Sequence, residues 1–375
     1  MDHSAVDEHA ATFDEESGYF DFARVGPPGQ AVLDEQRALD ETLRRARFGS
    51  LGVLDHQDAR VRMAVSRIIR CREDQVVFQP NTSSGLMHTM FGLTGTVALA
   101  PTEFPSLTFA AARAAEALRV LSPVWLDTDY GRVTPGAIRD QLTPACGAVA
   151  VSLVDFRTGY LADLDGIRQV IGDRLLIVDA IQGFGVVDAP WEVADVIVSG
   201  GQKWVRAGWG TGFLALSDRA SEQLTPVFSG FSATGGPMPL DAVLPPGPGA
   251  SAFSVSNPSP IAQAMLATAL EDIARVGVGS INTAIAHRVS RILDLADEFG
   301  IPVVSPRADN ERAGIVVVEP APEHLTVLAA ALFNHGVTAT AREGQVRLSP
   351  HVSTGEESLD ILRAAFGDVA ATGRV

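Results

Sequence analysis

The chain has 375 residues, 46% of them hydrophobic, with 35 glycines and 22 prolines, an ordinary globular composition with length for two or three domains. Its 29 basic against 45 acidic residues leave a formal charge of −16, a surface that repels phosphate backbones and anionic lipid, so neither nucleic acid nor membrane is an expected partner. No stretch approaches about 18 consecutive apolar residues, and the start MDHSAVDEHAATFDEESG has neither a basic flank nor an apolar core, so the expectation is a cytoplasmic protein without spanning helix or secretory signal.

Residues 1–17 are acidic and without periodicity, and read as a mobile tail. From Tyr19 to about Gln75 the pattern is helical: AVLDEQRALDETLRRARFG and DARVRMAVSRIIR repeat apolar residues every three or four positions, with Gly49 and Gly52 between them. Between Val76 and Leu216 the short apolar runs VVF, TVALA, VLSPVWL, GAVAVSLV, RLLIVDA, DVIVSG and GFLALS alternate with helix-like segments such as TFAAARAAEALRV and LADLDGIRQVIG. That alternation predicts a mostly parallel sheet covered by helices on both faces. The Gly/Pro-rich stretch 232–250 reads as a loop, either a lid or a plain connection. One long helix is expected from Ile261 to Phe299, stopped by Gly300 and Pro302. IPVVS, GIVVVE, a helix around EHLTVLAAALFNHG, VTATA, QVRLS and a last helix EESLDILRAAFG then form a small α+β unit. The division is a tail at 1–17, a large domain at 18–260 whose first segment packs with the small domain, and a connecting helix with small domain at 261–375.

Among the basic residues, 28 are arginine and one is lysine, Lys203. Arginine stays protonated, whereas a buried lysine can lose its proton and act as base or nucleophile. Lys203 is therefore a chemical candidate, against the plain alternative of a surviving surface lysine. RLLIVDAIQG ends a buried strand on Asp179, and DVIVSGGQKW puts Lys203 just past the next one. The carboxyl ends of strands in an open α/β sheet border the ligand crevice, and 24 residues suffice for a crossover, so acid and lysine can share one cavity. Together they suit a Schiff-base cofactor whose pyridinium is balanced by the acid, or else a structural ion pair. VVFQPNTSSG offers Thr82 and Ser83 at a helix start able to bind phosphate, or merely to cap the helix. GWGTGF precedes a strand and reads as a backbone turn. Cys71 and Cys146 are the only cysteines, with no CxxC or HExxH, so no metal site is expected.

VDAIQGFGVVDAPWEVADVIVSGGQKWVRAGWGTGFLAL resembles the central block of the class V aminotransferase and cysteine desulfurase-like family of fold-type I pyridoxal phosphate enzymes. The resemblance implies a large domain with a seven-stranded, mostly parallel sheet, a small α+β domain, pyridoxal 5′-phosphate as cofactor, and a homodimer acting on a small-molecule amino-acid substrate. It assigns the pyridine nitrogen to Asp179, the ring hydroxyl to Gln182, the covalent attachment to Lys203 and the phosphate to Thr82 and Ser83. EFPSLTF implies that Phe104 stacks on the ring, although a phenylalanine in an apolar segment is also ordinary core. Gln202 stands where many members have histidine, Asp155 in VSLVDFRTG stands near the family's ring-side asparagine, and Asn257 in SAFSVSNPSP corresponds to a residue that reaches the partner subunit's cofactor. QVRLSPHVST resembles the substrate-carboxylate strand and implies Arg347, with Arg342 as the alternative. In QVRLS the side chain of Arg347 leaves the face taken by Val346 and Leu348, either toward a carboxylate or simply toward solvent.

Desulfurases of this family carry a cysteine just before the carboxylate strand, where this chain reads AREGQVR. The expectation is an enzyme acting at the α-carbon of an amino acid by β-elimination, of the carbon–sulfur lyase type. Transamination and epimerisation are the alternatives, and a non-catalytic binding protein on the same fold is the alternative of another class.

Overall fold

A computed structural model describes residues 3–234, 236 and 241–371; part of the Gly/Pro-rich stretch, residues 235 and 237–240, lies outside the described residues. Helices α1 (His3–Ala10), α2 (Gln30–Arg45) and α3 (Gln57–Ile69) precede strand β1 (Val76–Phe78). There follow α4 (Thr82–Gly92), β2 (Gly95–Leu99), α5 (Pro105–Leu118), β3 (Leu121–Trp125), α6 (Pro135–Gln141), β4 (Cys146–Ser152), α7 (Leu164–Ile171), β5 (Leu175–Asp179), β6 (Val196–Gly200), β7 (Gly212–Leu216) and α8 (Asp218–Gln223). After α9 (Pro260–Val276) and α10 (Val278–Glu298) come β8 (Val316–Val318), α11 (Pro322–Asn334), β9 (Thr340–Arg342), β10 (Gln345–Leu348) and α12 (Glu356–Ala371).

All seven apolar runs become strands of one sheet in the order β1-β7-β6-β5-β4-β2-β3. Strands β2 to β6 pair in parallel and β7 runs antiparallel to both neighbours. Alternate residues feed two separate cores, as the two-residue period of a strand requires. Val97, Ala150, Ile177 and Val198 pack under α4 and α5, while Ala98, Val151, Val178 and Ile197 join the larger core beneath α9. With both faces covered, the strands carry continuous apolar sequence, which is why they were readable.

Both ends of the chain meet in the small unit. Its antiparallel sheet runs β8-β10-β9, and the N-terminal segment adds parallel bridges from Tyr19 to Thr338 and from Asp21 to Ser349. Two expectations are corrected. The mobile tail expected at residues 1–17 is, from residue 3 on, packed structure: Val6 and His9, three positions apart on one face of α1, are both buried. The single helix expected over 261–299 is two, because Gly277 adopts φ +91°, a conformation that glycine takes without steric cost, and α10 restarts beyond it.

Residues 13–15 make the packing of the N-terminus specific. Arg206, 1% exposed, lies over the Phe13 ring at 3.5 Å, pairs with Glu15 and donates to Pro27 O at 2.6 Å and to Ser353 Oγ at 2.8 Å. Removing one partner of a buried pair strands the other charge. Glu15→Ala should therefore lower unfolding stability by about 3 kcal/mol, seen as a lower urea midpoint with the slope unchanged.

Candidate active site

The strands that run in one direction send their carboxyl ends to one edge, and five loops there supply the cleft. The loop after β1 brings Thr82 and Ser83, that after β2 brings Phe104, that after β4 brings Phe156, that after β5 brings Asp179 and Gln182, and that after β6 brings Gln202 and Lys203. Arg342 and Arg347 of the small sheet and Ala23 and Arg24 of the N-terminal segment close the other side.

Asp179 ends β5 and is 1% exposed; its Oδ1 accepts from the Ile181 amide at 3.1 Å, whereas its Oδ2 is buried without a partner. Burial pushes its carboxyl up to about 6 against the opposing effects of the Ile181 amide and the Lys203 charge. Lys203, 9% exposed, is pushed the other way, down to about 8, by burial first and then by the Arg347 and Arg342 charges, with Asp179 opposing. Its Nζ lies 5.3 Å from the centroid of the Phe104 ring.

The helix start at α4 separates capping from the rest. Asn81 alone is the cap, its Oδ1 accepting from the Ser84 amide at 2.9 Å. Thr82, 6% exposed, keeps a buried and unpartnered Oγ1, and Ser83 Oγ shares a hydrogen bond of 2.7 Å with Ser106. Gly200 faces this point: a β-carbon there would sit 2.4 Å from Gln202 Oε1 and 3.0 Å from Thr82 Oγ1, so glycine keeps the space open. Gly26 serves the opposite wall, since a β-carbon would fall 1.9 Å from the Lys203 carbonyl oxygen. That close approach lets the N-terminal segment run against the lysine turn.

Gln182 is held from two sides, Trp204 Nε1 donating to its Oε1 at 2.8 Å and its Nε2 donating to Ala23 O at 3.0 Å. On β10, Arg347 donates to Phe156 O at 3.1 Å and to Thr340 Oγ1 at 3.3 Å, stands 3.6 Å from Asp21, and keeps a buried Nε without a partner. One expected residue is not brought to the cleft. Asp155 turns back on its own loop, where its Oδ1 accepts from the Arg157 and Thr158 amides and the Thr158 hydroxyl. Asn257, expected to act toward a partner subunit's cofactor, lines an outer groove that shares Ser83 and Trp209 with the cleft.

Sequence reasoning overlooked Asp21, Glu103, Phe156 and Arg157. The buried Asp21 accepts from Thr340 Oγ1 at 2.6 Å and so anchors the hairpin that carries Arg347. Glu103 is buried and bonded to the Ser152 amide and hydroxyl, and burial raises its carboxyl to about 7. Phe156 meets Phe104 edge to face at 5.1 Å. The FRTG turn just after a buried strand was the available signal for Phe156 and Arg157; an acid set between aromatics in YFDF was the one for Asp21.

The depressed lysine sets a pH signature in the cofactor-free protein. Below pH about 8 Lys203 is charged in both folded and unfolded states and its burial costs stability in full; from about 8 to 10.5 only the unfolded state holds the proton, so stability rises with pH, and above that the cost is gone. Lys203→Met should therefore be more stable than the parent by roughly 3 kcal/mol at pH 7. The difference should shrink through pH 8–10.5 in denaturant titrations.

Residues 54–367 match the family model of aminotransferase class V. No curated protein is matched by the sequence. Among solved structures, the apo cysteine desulfurase of Thermococcus onnurineus NA1 superposes with a TM-score of 0.83 at 21% identity, over 95% of each chain. The cystine C–S lyase C-DES in complex with its reaction product cysteine persulfide gives 0.82 at 18% identity, over 94% of this chain and 98% of that one. The cysteine desulfurase CsdA of Escherichia coli gives 0.81 at 15% identity, over 99% of each chain. At such identities these likenesses speak for the fold, and the family match speaks for the chemistry: the chain belongs to the aminotransferase class V family of pyridoxal phosphate enzymes.

Proposed function

We propose that Lys203 carries pyridoxal phosphate and that the enzyme catalyses β-elimination at the carbon–sulfur bond of a cysteine conjugate. The residues present suit the cofactor. The unpartnered Asp179 Oδ2 matches a protonated pyridine nitrogen, the unpartnered Thr82 Oγ1 beside the Gly200 gap matches a phosphate oxygen, and Phe104 offers an aromatic wall next to the lysine. Ser83 is a second phosphate ligand, the remaining Nε2 proton of Gln182 suits the ring hydroxyl, and Gln202 borders the phosphate side of the cleft.

Bound there, the cofactor supplies an electron sink for the pair released at the substrate's α-carbon. The protein's part is to hold and move protons. Asp179 would face the ring nitrogen with its unpartnered Oδ2 and favour the protonated form there, because an uncompensated carboxylate is costly at that depth. Lys203 Nζ, with burial favouring its neutral form, takes the α-proton. Arg347 offers Nε and the rest of its fork to the α-carboxylate, fixing which bond at the α-carbon faces the ring. The overall reaction converts conjugate and water into thiol, pyruvate and ammonia without a net redox change.

One observation favours elimination over persulfide transfer: the hairpin next to the substrate site reads Arg342, Glu343, Gly344, Gln345 and contains no thiol. Cys146 begins β4, about 20 Å down the strand from the end beside Asp179. Cys71 lies beyond α3, and burial raises both thiols. Incubating the yellow protein with an S-substituted cysteine should release the thiol and pyruvate with no keto acid added. A requirement for a keto-acid acceptor, or recovery of only the inverted amino acid, would replace elimination by transamination or epimerisation. Arg347→Ala should raise KM at least about a hundredfold, with Arg347→Lys also impaired because a point charge cannot form the fork.

The homodimer belongs to the same reading. The groove of Asn257 borders Ser83 and Ser84 from outside and is flanked by exposed apolar side chains, among them Trp209 at 70% and Val255 at 53% exposure. A second subunit covering that face would bring its Asn257 toward the phosphate side of this cleft. Light scattering should report a dimer at assay concentrations, and Trp209→Glu should yield a monomer with little activity.

A further inference from the structure

The cleft does not end at Lys203. An adjoining cavity of about 460 Å3 shares Phe104, Phe156, Arg342 and Arg347 with it and continues outward past Arg157 and Gln345. In the β9–β10 hairpin, Arg342 pairs with Gln345 and Thr340 with Arg347, so these four side chains fall on one face, the face that lines the cavity. Two arginines thus stand side by side on a small sheet, with a third, Arg157, across from them.

Arg347 is accounted for by Asp21, Phe156 O, Thr340 and the α-carboxylate. The other two are not. Arg157 donates Nη2 to Thr102 O at 2.7 Å but keeps its Nε buried and unpartnered. Arg342 is exposed, and no described carboxylate lies within ion-pair distance of it, although its charge is felt at both Lys203 and Arg347. No acid here forms an ion pair with these two arginines: Asp155 attracts Arg157 without pairing with it, Glu103 is bonded to Ser152 with burial raising its carboxyl to about 7, and Glu343 stands at the hairpin tip. A chain with 16 more acidic than basic residues has gathered unpaired cations here.

We propose that Arg157 and Arg342 form a second anion subsite, so that the amino acid processed here carries an acidic group on its side chain in addition to the α-carboxylate held by Arg347. The subsite rests on the reading of Arg347 as the α-carboxylate residue. It defines a substrate class, an α-amino acid with a distal anion several bonds beyond the β-carbon, and it explains why the outer wall is cationic where a neutral thioether would need only apolar surface. Charge-assisted hydrogen bonds in a partly desolvated site discriminate strongly between a carboxylate and its amide.

The test separates binding from chemistry. The holoenzyme is titrated calorimetrically with L-2-aminoadipate and with its side-chain amide, L-homoglutamine, neither of which has a carbon–sulfur bond to cleave. In parallel, pyruvate release is measured from S-(2-carboxyethyl)-L-cysteine and from its carbamoyl analogue. The acid should bind at least about tenfold tighter than the amide and be cleaved with a correspondingly higher kcat/KM. Arg342→Gln and Arg157→Gln should each bring the acid-to-amide ratio toward one, Arg342→Lys should keep part of it, and Arg347→Ala should weaken both members of a pair alike. Arg342 is exposed and unpartnered, so its replacement tests the subsite even if Arg157→Gln misfolds. Equal affinities in the parent protein, or a ratio unchanged in Arg342→Gln, would overturn the subsite. A preserved acid preference without any pyruvate would support the subsite and count against elimination.

Discussion

Everything at the site depends on two opposite charges buried close enough to influence each other yet not joined in an ion pair. Asp179 and Lys203 sit at the ends of adjacent parallel strands, and burial moves their titrations toward one another, the acid up and the base down. Collapsed together they would make an inert salt bridge. Held apart, with Asp179 Oδ2 unpartnered, they leave room for a molecule that has a cationic nitrogen at one end and an electrophile at the other. The sheet enforces the gap, because the parallel register that sets β5 beside β6 also fixes where each chain leaves the sheet.

The arginine bias of the chain sharpens this. An ammonium can give up its proton when burial demands it, and a guanidinium does not. With every other lysine or arginine position filled by arginine, Lys203 is the one ammonium side chain able to give up its proton, and it lies in the cleft. The flanking arginines then act as fixed charges. Arg342 and Arg347 favour the neutral form of Lys203 and attract anions into the site without competing for its proton.

The parts of the fold buried on both faces were legible because their signals are local. A central strand is a short run of apolar residues ended by a turn, and Asp179 and Lys203 could be placed because each follows such a run. The same logic failed where burial comes from distant partners. Nothing in DFARVG says that Asp21 will meet Thr340, and a polar, acidic start reads as tail until Glu15 is seen against Arg206. Asp155 was singled out where its neighbours Phe156 and Arg157 face the cavity: at a turn after a strand, a carboxylate satisfied by its own loop amides looks the same in sequence as one aimed at a ligand. The break at Gly277 was likewise hidden, since one glycine does not interrupt the apolar period of α9 and α10.

The bridges from Tyr19 to Thr338 and from Asp21 to Ser349 join segments more than 300 positions apart. During synthesis the N-terminal segment therefore emerges long before its partners, and the aromatic side chains of Tyr19, Phe20 and Phe22 must wait unpaired until those partners are made. Closing such distant ends is slow compared with local helix and strand pairing, and it exposes apolar surface in the interval. Because Arg347 stands against Asp21, the Arg347 wall of the cleft depends on this distant pairing, whereas Asp179 and Lys203 follow strands of the central sheet. In newly made protein the sheet side of the cleft, with Asp179 and Lys203, is thus synthesised well before the strand that carries Arg347.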